Sequence, residues 1–119
     1  LLSSLRLIEH AQVPTGELAY GKQRLLEIAL ALAAKPRILL LDEPAAGIPA
    51  GESREVFEVV DALPDDISVL FIEHDMQLVF RFARRIVVLT SGSVLAEGSP
   101  DEIRRNDDVR AAYLGSTHV

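Results

Sequence analysis

The longest unbroken aliphatic run in the chain, Ile38-Leu39-Leu40-Leu41, ends abruptly in Asp42, Glu43 and Pro44. Four aliphatic residues without alternation predict a parallel strand buried on both faces, and Pro44, which has no N–H, ends its ladder. A second apolar run, residues 67–72, stops at Glu73-His74-Asp75, and a third, residues 86–89, leads to Ser91-Gly92-Ser93. Between these runs the apolar spacing changes to three and four. Leu25, Ile28, Ala29, Leu32 and Ala33 mark a helix that starts at Gly21 and is ended by Lys35-Pro36. Val56, Val59, Val60 and Leu63 mark a second over residues 52–63, and Met76, Val79, Phe80 and Ala83 a third. Leu1, Leu2, Leu5 and Ile8 share the spacing, which predicts the last turns of an amphipathic helix broken by Pro14-Thr15-Gly16.

Toward the C-terminus, turn chemistry carries the reading. Ser91-Gly92-Ser93 predicts a hairpin into a strand over residues 94–97. Ser99-Pro100-Asp101-Glu102 has the form of a capping box with proline at the first helical position. Asn106 is placed to cap a last helix, with Val109, Ala112, Tyr113 and Leu114 as its apolar side before Gly115; residues 116–119 are expected to fray. Strand, polar tip and helix recur, so the fold class is α/β. A right-handed crossover between parallel strands then puts Asp42, Glu43 and His74 on one sheet edge, where open α/β sheets bind ligands.

Composition narrows the class. At 119 residues, 49% hydrophobic and 25% charged, the chain reads as one globular domain able to bury about 60–70% of its unfolded surface. No apolar stretch approaches the roughly 20 residues that cross a bilayer. The start, Leu1-Leu2-Ser3-Ser4, has no initiator Met and no signal-peptide pattern, and reads as the interior of a longer polypeptide. Zero cysteines exclude disulfides and Cys-ligated zinc and fit a reducing cytoplasm. A net charge of −6 argues against nucleic acid as a partner, and Arg81, Arg84 and Arg85 read as a solvated helix end near the negative dipole terminus.

Four features carry candidate chemistry. Adjacent carboxylates repel unless a cation lies beside them, so Asp42 and Glu43 suit Mg²⁺ and a nucleophilic water; a solvated strand end before a turn would use the same residues. His74 is either an ordinary capping residue or a third member of that site. Leu18, Ala19, Tyr20, Gly21, Lys22 and Gln23 lie at a helix start, whose free N–H groups and positive dipole end favour a phosphate, as every helix start does. Ala45, Ala46, Gly47, Ile48 and Pro49 form a small-residue loop that lets another backbone or a ligand approach closely.

Taken in order, Leu18-Ala19-Tyr20-Gly21-Lys22-Gln23, Leu39-Leu40-Leu41-Asp42-Glu43-Pro44 and Ile72-Glu73-His74-Asp75 resemble the signature motif, Walker B strand and switch histidine of ATP-binding cassette (ABC) transporter ATPases. The resemblance covers essentially the whole chain. Glu43-Pro44-Ala45-Ala46-Gly47, Ile72-Glu73-His74-Asp75-Met76, Glu97-Gly98-Ser99-Pro100-Asp101-Glu102-Ile103 and Ala112-Tyr113-Leu114-Gly115 look most like the branched-chain amino-acid importer ATPases. It implies the C-terminal part of a RecA-like P-loop NTPase: a signature helical region over residues 1–35, a Walker B to switch-histidine core over 36–90, and a hairpin with C-terminal helices over 91–119.

By that resemblance Asp42 would hold Mg²⁺ through water, Glu43 would orient or deprotonate the attacking water, and His74 would contact the γ-phosphate. Residues 18–23 would press on ATP bound by the opposite ATPase subunit, and the D-loop, Ala45 to Pro49, would cross the dimer interface. The implied setting is the inner face of the cell membrane, on transmembrane permease subunits. Ala19 and Lys22 stand where the family usually has Ser and Gln; the backbone N–H groups are expected to compensate for the missing hydroxyl, with Lys22 as an optional further donor. Pro49 replaces a residue that is commonly polar. No Gly-x-x-x-x-Gly-Lys-Ser/Thr loop occurs in these 119 residues, so this chain alone is expected to be inactive and to self-associate through exposed strand edges. Alternatives are an ABC ATPase of an exporter or non-transport system, or a standalone, non-hydrolytic interaction domain.

Overall fold

The computed structural model describes residues 1–114; the expected helix stop at Gly115 and the fraying expected over residues 116–119 lie outside the described residues. The chain divides into two compact units, Leu1–His74 and Asp75–Val119.

The first unit is a βαβ unit preceded by a helix. It runs α1 (Tyr20–Leu32), β1 (Ile38–Asp42), α2 (Ala50–Asp61) and β2 (Ser68–Ile72), and β1 pairs with β2 in parallel from Ile38↔Ser68 to Asp42↔Ile72. Leu25, Ile28, Ala29 and Leu32 of α1 pack with Val56, Val59 and Val60 of α2 and Leu39 of β1. Phe57 of α2 meets Phe71 of β2 edge to face, with ring centroids 5.0 Å apart. These helices cover one face of the strand pair.

That corrects the expectation of a strand buried on both faces. Leu39 is 4% exposed, whereas Leu40 is 69% exposed, and Ile38, Leu70 and Ile72 beside it are exposed as well. The unbroken aliphatic run measures hydrophobicity on both faces of β1, but α1 and α2 supply partners for only one.

The N-terminal segment also departs from expectation. A single turn closes at Arg6, where Leu7 N–H donates to Leu2 O (2.8 Å) and Arg6 N–H to Ser3 O (3.1 Å), with Arg6 at φ +59°. This is the Schellman pattern, and it stops the helical periodicity before Ile8. Leu5 and Leu7 turn into the core, while Ile8, the expected partner of Leu5, is exposed and begins a 3₁₀ turn, Ile8–His10. At α2 the helix starts two residues earlier than the apolar spacing predicts. Ser53 N–H donates to Pro49 O, so Ala50 and Gly51 belong to the first turn.

The second unit contains α3 (Met76–Phe82), β3 (Ile86–Thr90), β4 (Ser93–Gly98), α4 (Pro100–Arg105) and α5 (Asp107–Val109). Asp75 caps α3 by accepting from Gln77 and Leu78 N–H. β3 and β4 form an antiparallel hairpin around Ser91 (φ +48°) and Gly92 (φ +79°), a two-residue turn whose positive φ values match the strand twist. Ser99 and Glu102 form the expected capping box, and Asn106 Oδ1 accepts from Val109 N–H. Beyond α5 the chain widens into a π-helical segment, Arg110–Leu114. The wider turn rotates later positions off the 3.6-residue stripe, so Ala112 and Tyr113 are exposed rather than on a buried side, and Tyr113 Oη donates to Leu89 O. Of the expected arginine cluster, Arg81 lies in the last turn of α3, while Arg85, beyond it, pairs with Glu97; that hydrogen bond raises the guanidinium pKa above its ordinary value.

No helix among the described residues is long and apolar enough to cross a membrane. The one-sided packing of β1 sets an expectation for urea unfolding of the 119-residue chain. Leu25→Ala removes a fully packed side chain and should lower stability by about 2–5 kcal/mol. Leu40→Ala, on the open face, should change it by less than about 1 kcal/mol, and a larger loss would show that this face is packed in solution.

Candidate functional site

Parallel pairing brings the ends of β1 and β2 together. The ladder continues one step past the strands, with Glu43 N–H donating to Ile72 O at 2.8 Å. Glu43 then takes φ +49°, a left-handed conformation uncommon for a residue with a Cβ, and the chain turns back as Ala46 N–H donates to Glu43 O at 3.0 Å. Pro44 is fully buried inside this turn, where its missing N–H needs no partner.

Three predicted residues meet at this edge. His74 Nε2 is hydrogen-bonded to Glu43 Oε1, across 31 positions of sequence. The imidazole is largely exposed and the carboxylate partly so. Asp42, the last residue of β1, is exposed, and its carboxylate makes no hydrogen bond or ion pair among the described residues. A single free carboxylate at a strand end suits Mg²⁺, which commonly binds through one or two carboxylates, water and substrate phosphates. No group of three or more His, Cys, Asp or Glu able to hold a metal alone occurs among the described residues.

The second predicted cluster is the start of α1. Ala19 is its N-cap residue and makes no side-chain cap bond, which leaves first-turn N–H groups for an outside acceptor. Gln23 holds the approach loop in place, donating from Nε2 to Thr15 O and Leu18 O, each at 3.1 Å. Tyr20 is exposed, and Gly21 is buried against α2. A Cβ added at Gly21 would lie 2.8 Å from Glu52 Cβ, so glycine here is required by the close approach of two helix starts. Tyr20 and Gln23, with Arg24 and Glu27, share a shallow cavity of about 150 Å³ with Ala46, Gly47 and Ile48 of the small-residue loop. Residues 18–23 and the predicted D-loop are therefore neighbours. Pro49, at the end of that loop, serves as the N-cap residue of α2.

Lys22 is engaged within the first unit. Its Nζ donates to Arg6 O (3.1 Å) and to Glu55 Oε1 (2.7 Å), which ties α1 to α2 and to the turn at Arg6. The ammonium is thus held between protein acceptors of the first unit. Sequence reasoning also missed Glu73, whose Oε1 accepts from Ala45 N–H at 2.9 Å. Its place at the same polar tip as His74 was the available signal.

Comparison with known proteins bears on the same residues. Residues 1–46 match a family described as ABC transporter, and residues 93–119 match one described as branched-chain amino acid ATP-binding cassette transporter. The chain is 47% identical over 116 residues to the high-affinity branched-chain amino acid transport ATP-binding protein LivG of Salmonella typhimurium, covering 96% of this chain and 46% of LivG. The same identity and coverage hold for BraF of Pseudomonas aeruginosa. With the lipopolysaccharide export system ATP-binding protein LptB of Escherichia coli it is 34% identical, over 91% of this chain and 46% of LptB. A solved ATP-binding cassette of an ABC transporter aligns at a TM-score of 0.84 and 30% identity, over 96% of this chain and 47% of that chain. The chain spans about half the length of the curated relatives it matches.

The contact between helix starts yields a stability prediction. Gly21→Ala should cost about 1–3 kcal/mol by overpacking, and adding Glu52→Gly, which removes the opposing Cβ, should recover much of that loss in a double-mutant cycle by urea unfolding. Equal losses with and without Glu52→Gly would place the strain elsewhere.

Proposed function

Because the chain belongs to the ABC transporter ATPases, corresponding to their C-terminal part, we propose that the complete protein is the ATP-hydrolysing subunit of an importer of branched-chain amino acids or similar solutes. The observation that carries this reading is the 47% identity to LivG and BraF across 96% of the chain, against 34% to the lipopolysaccharide exporter subunit LptB. The C-terminal match to the branched-chain family points the same way. Transport then proceeds through transmembrane permease subunits, with the ATPase at the cytoplasmic face of the membrane.

The chemistry assigned to the site is phosphoryl transfer to water, in which positioning and charge stabilisation supply most of the catalysis. Asp42 is the residue that would hold Mg²⁺, which when bound would supply positive charge to the phosphates. Glu43 orients the attacking water and accepts its proton. His74, which lies against the Glu43 carboxylate, restrains that base and reaches the γ-phosphate. Residues 18–23 offer first-turn N–H groups to ATP held by a second ATPase subunit, and Ala45, Ala46, Gly47, Ile48 and Pro49 form the loop that meets that subunit. ATP clamped between two subunits links binding to closure and hydrolysis to release.

Mg·ATP hydrolysis tests this reading. The complete protein should turn over ATP, and Glu43→Gln should lower the rate by about 10²–10⁴-fold, the usual worth of a general base. Undiminished turnover in Glu43→Gln would overturn the assignment. The 119-residue chain by itself, without a phosphate-cradling Gly-x-x-x-x-Gly-Lys-Ser/Thr loop, should show no turnover. Its open strand face and unpaired strand edges should make it self-associate, and a monodisperse monomer at high concentration in solution scattering would count against that.

A further inference from the structure

We propose that Glu73 is a positioning residue for Glu43: its carboxylate pins the turn that sets the general base against the end of β2. The inference rests on the ATPase reading above and extends it to a residue with no assigned part. The alternation of β2 continues past its last rung. Val69, Phe71 and Glu73 are half-buried, whereas Leu70, Ile72 and His74 are exposed. Glu73 and His74 therefore leave the strand on opposite sides, and each takes hold of the turn after β1: His74 at the Glu43 side chain, Glu73 at the Ala45 backbone.

Backbone accounting shows why the second grip matters. In the turn Glu43-Pro44-Ala45-Ala46, Pro44 has no N–H, and Ala46 N–H closes the turn on Glu43 O. Ala45 N–H is the one donor left over, half-buried, and Glu73 Oε1 is its acceptor at 2.9 Å. Glu43 meanwhile sits at φ +49°, which holds stored strain that a loosened turn would release. Removing the Glu73 acceptor leaves Ala45 N–H unpaired and lets the turn relax toward an ordinary φ. That swings the Glu43 carboxylate away from His74 and from the water it orients. Displacements of about 1 Å at a reacting group can cost up to 10²-fold in rate.

The test is steady-state ATP hydrolysis by the complete protein. Glu73→Ala should lower kcat by roughly 10–100-fold while KM for ATP moves less than about threefold, because the residue positions the base and touches no phosphate. Glu73→Gln, whose amide oxygen accepts the same N–H, should return kcat to within about threefold of wild type. Placed on Glu43→Gln, Glu73→Ala should change the residual rate less than about twofold. Should Glu73→Ala fail to fold, Glu73→Met, of similar length and without an oxygen, takes its place. Wild-type kcat in Glu73→Ala or Glu73→Met, or a Glu73→Gln as slow as either, would overturn the assignment of Glu73 while leaving the ATPase reading intact. A wild-type protein that hydrolyses no ATP, or one whose turnover survives Glu43→Gln, would bring down that reading and this inference with it.

Discussion

The in-register parallel pairing of β1 with β2 is the constraint on which the candidate site depends. Five paired positions, from Ile38↔Ser68 to Asp42↔Ile72, are followed by a hydrogen bond from Glu43 N–H to Ile72 O. Because the strands run the same way, both polar tips emerge at one edge, and residues 31 positions apart become hydrogen-bond partners. A slip of one residue would reverse the facing of every side chain on the slipped strand. It would put Phe71 on the open face, away from Phe57, and would exchange the roles of Glu73 and His74. Packing against α2 and geometry at the tip are thus set by one register.

The start of α1 is held by a different set of forces. Gly21 lets two helix starts approach to backbone distance, Gln23 fastens the preceding loop, and Lys22 bridges Arg6 O and Glu55. The bridge is partly shielded, so its hydrogen bonds count for more than an exposed ion pair would. Ala19, the N-cap residue, makes no side-chain cap bond to the first-turn N–H groups. These contacts place the start of α1 beside the small-residue loop. On the other side of β1 the exposed aliphatic face of Ile38, Leu40, Leu70 and Ile72 is consistent with a chain that spans about half the length of its relatives.

Much of this was legible in local patterns. The capping box at Ser99 and Glu102, the cap at Asn106, the turn at Ser91-Gly92 and the stop at Lys35-Pro36 all act within a few residues, so their chemistry is written where it operates. Leu25, Ile28, Val56 and Val59 were identified as core by spacing alone, since a helix face is also a local property. The failures have a common cause. Leu40 was read as buried because an aliphatic run reports how apolar a strand is, never what lies across from it. The helix expected through Ile8 was cut short by a left-handed Arg6 that no glycine announced, and Tyr113 left its stripe when the last turn widened.

At the site the same division holds. The residue types and their order, an apolar strand ending in two carboxylates, a second ending in Glu-His-Asp, and a glycine at a helix start, pointed to the family and to the strand-end location. Only the tertiary structure decided which partner each group found: Lys22 Nζ on Arg6 O and Glu55, His74 on Glu43, and Ala45 N–H on Glu73. The physical reason is range. Backbone propensity, capping and periodicity act over a few residues, whereas a hydrogen bond is satisfied by whatever partner the packing of distant segments brings within about 3 Å.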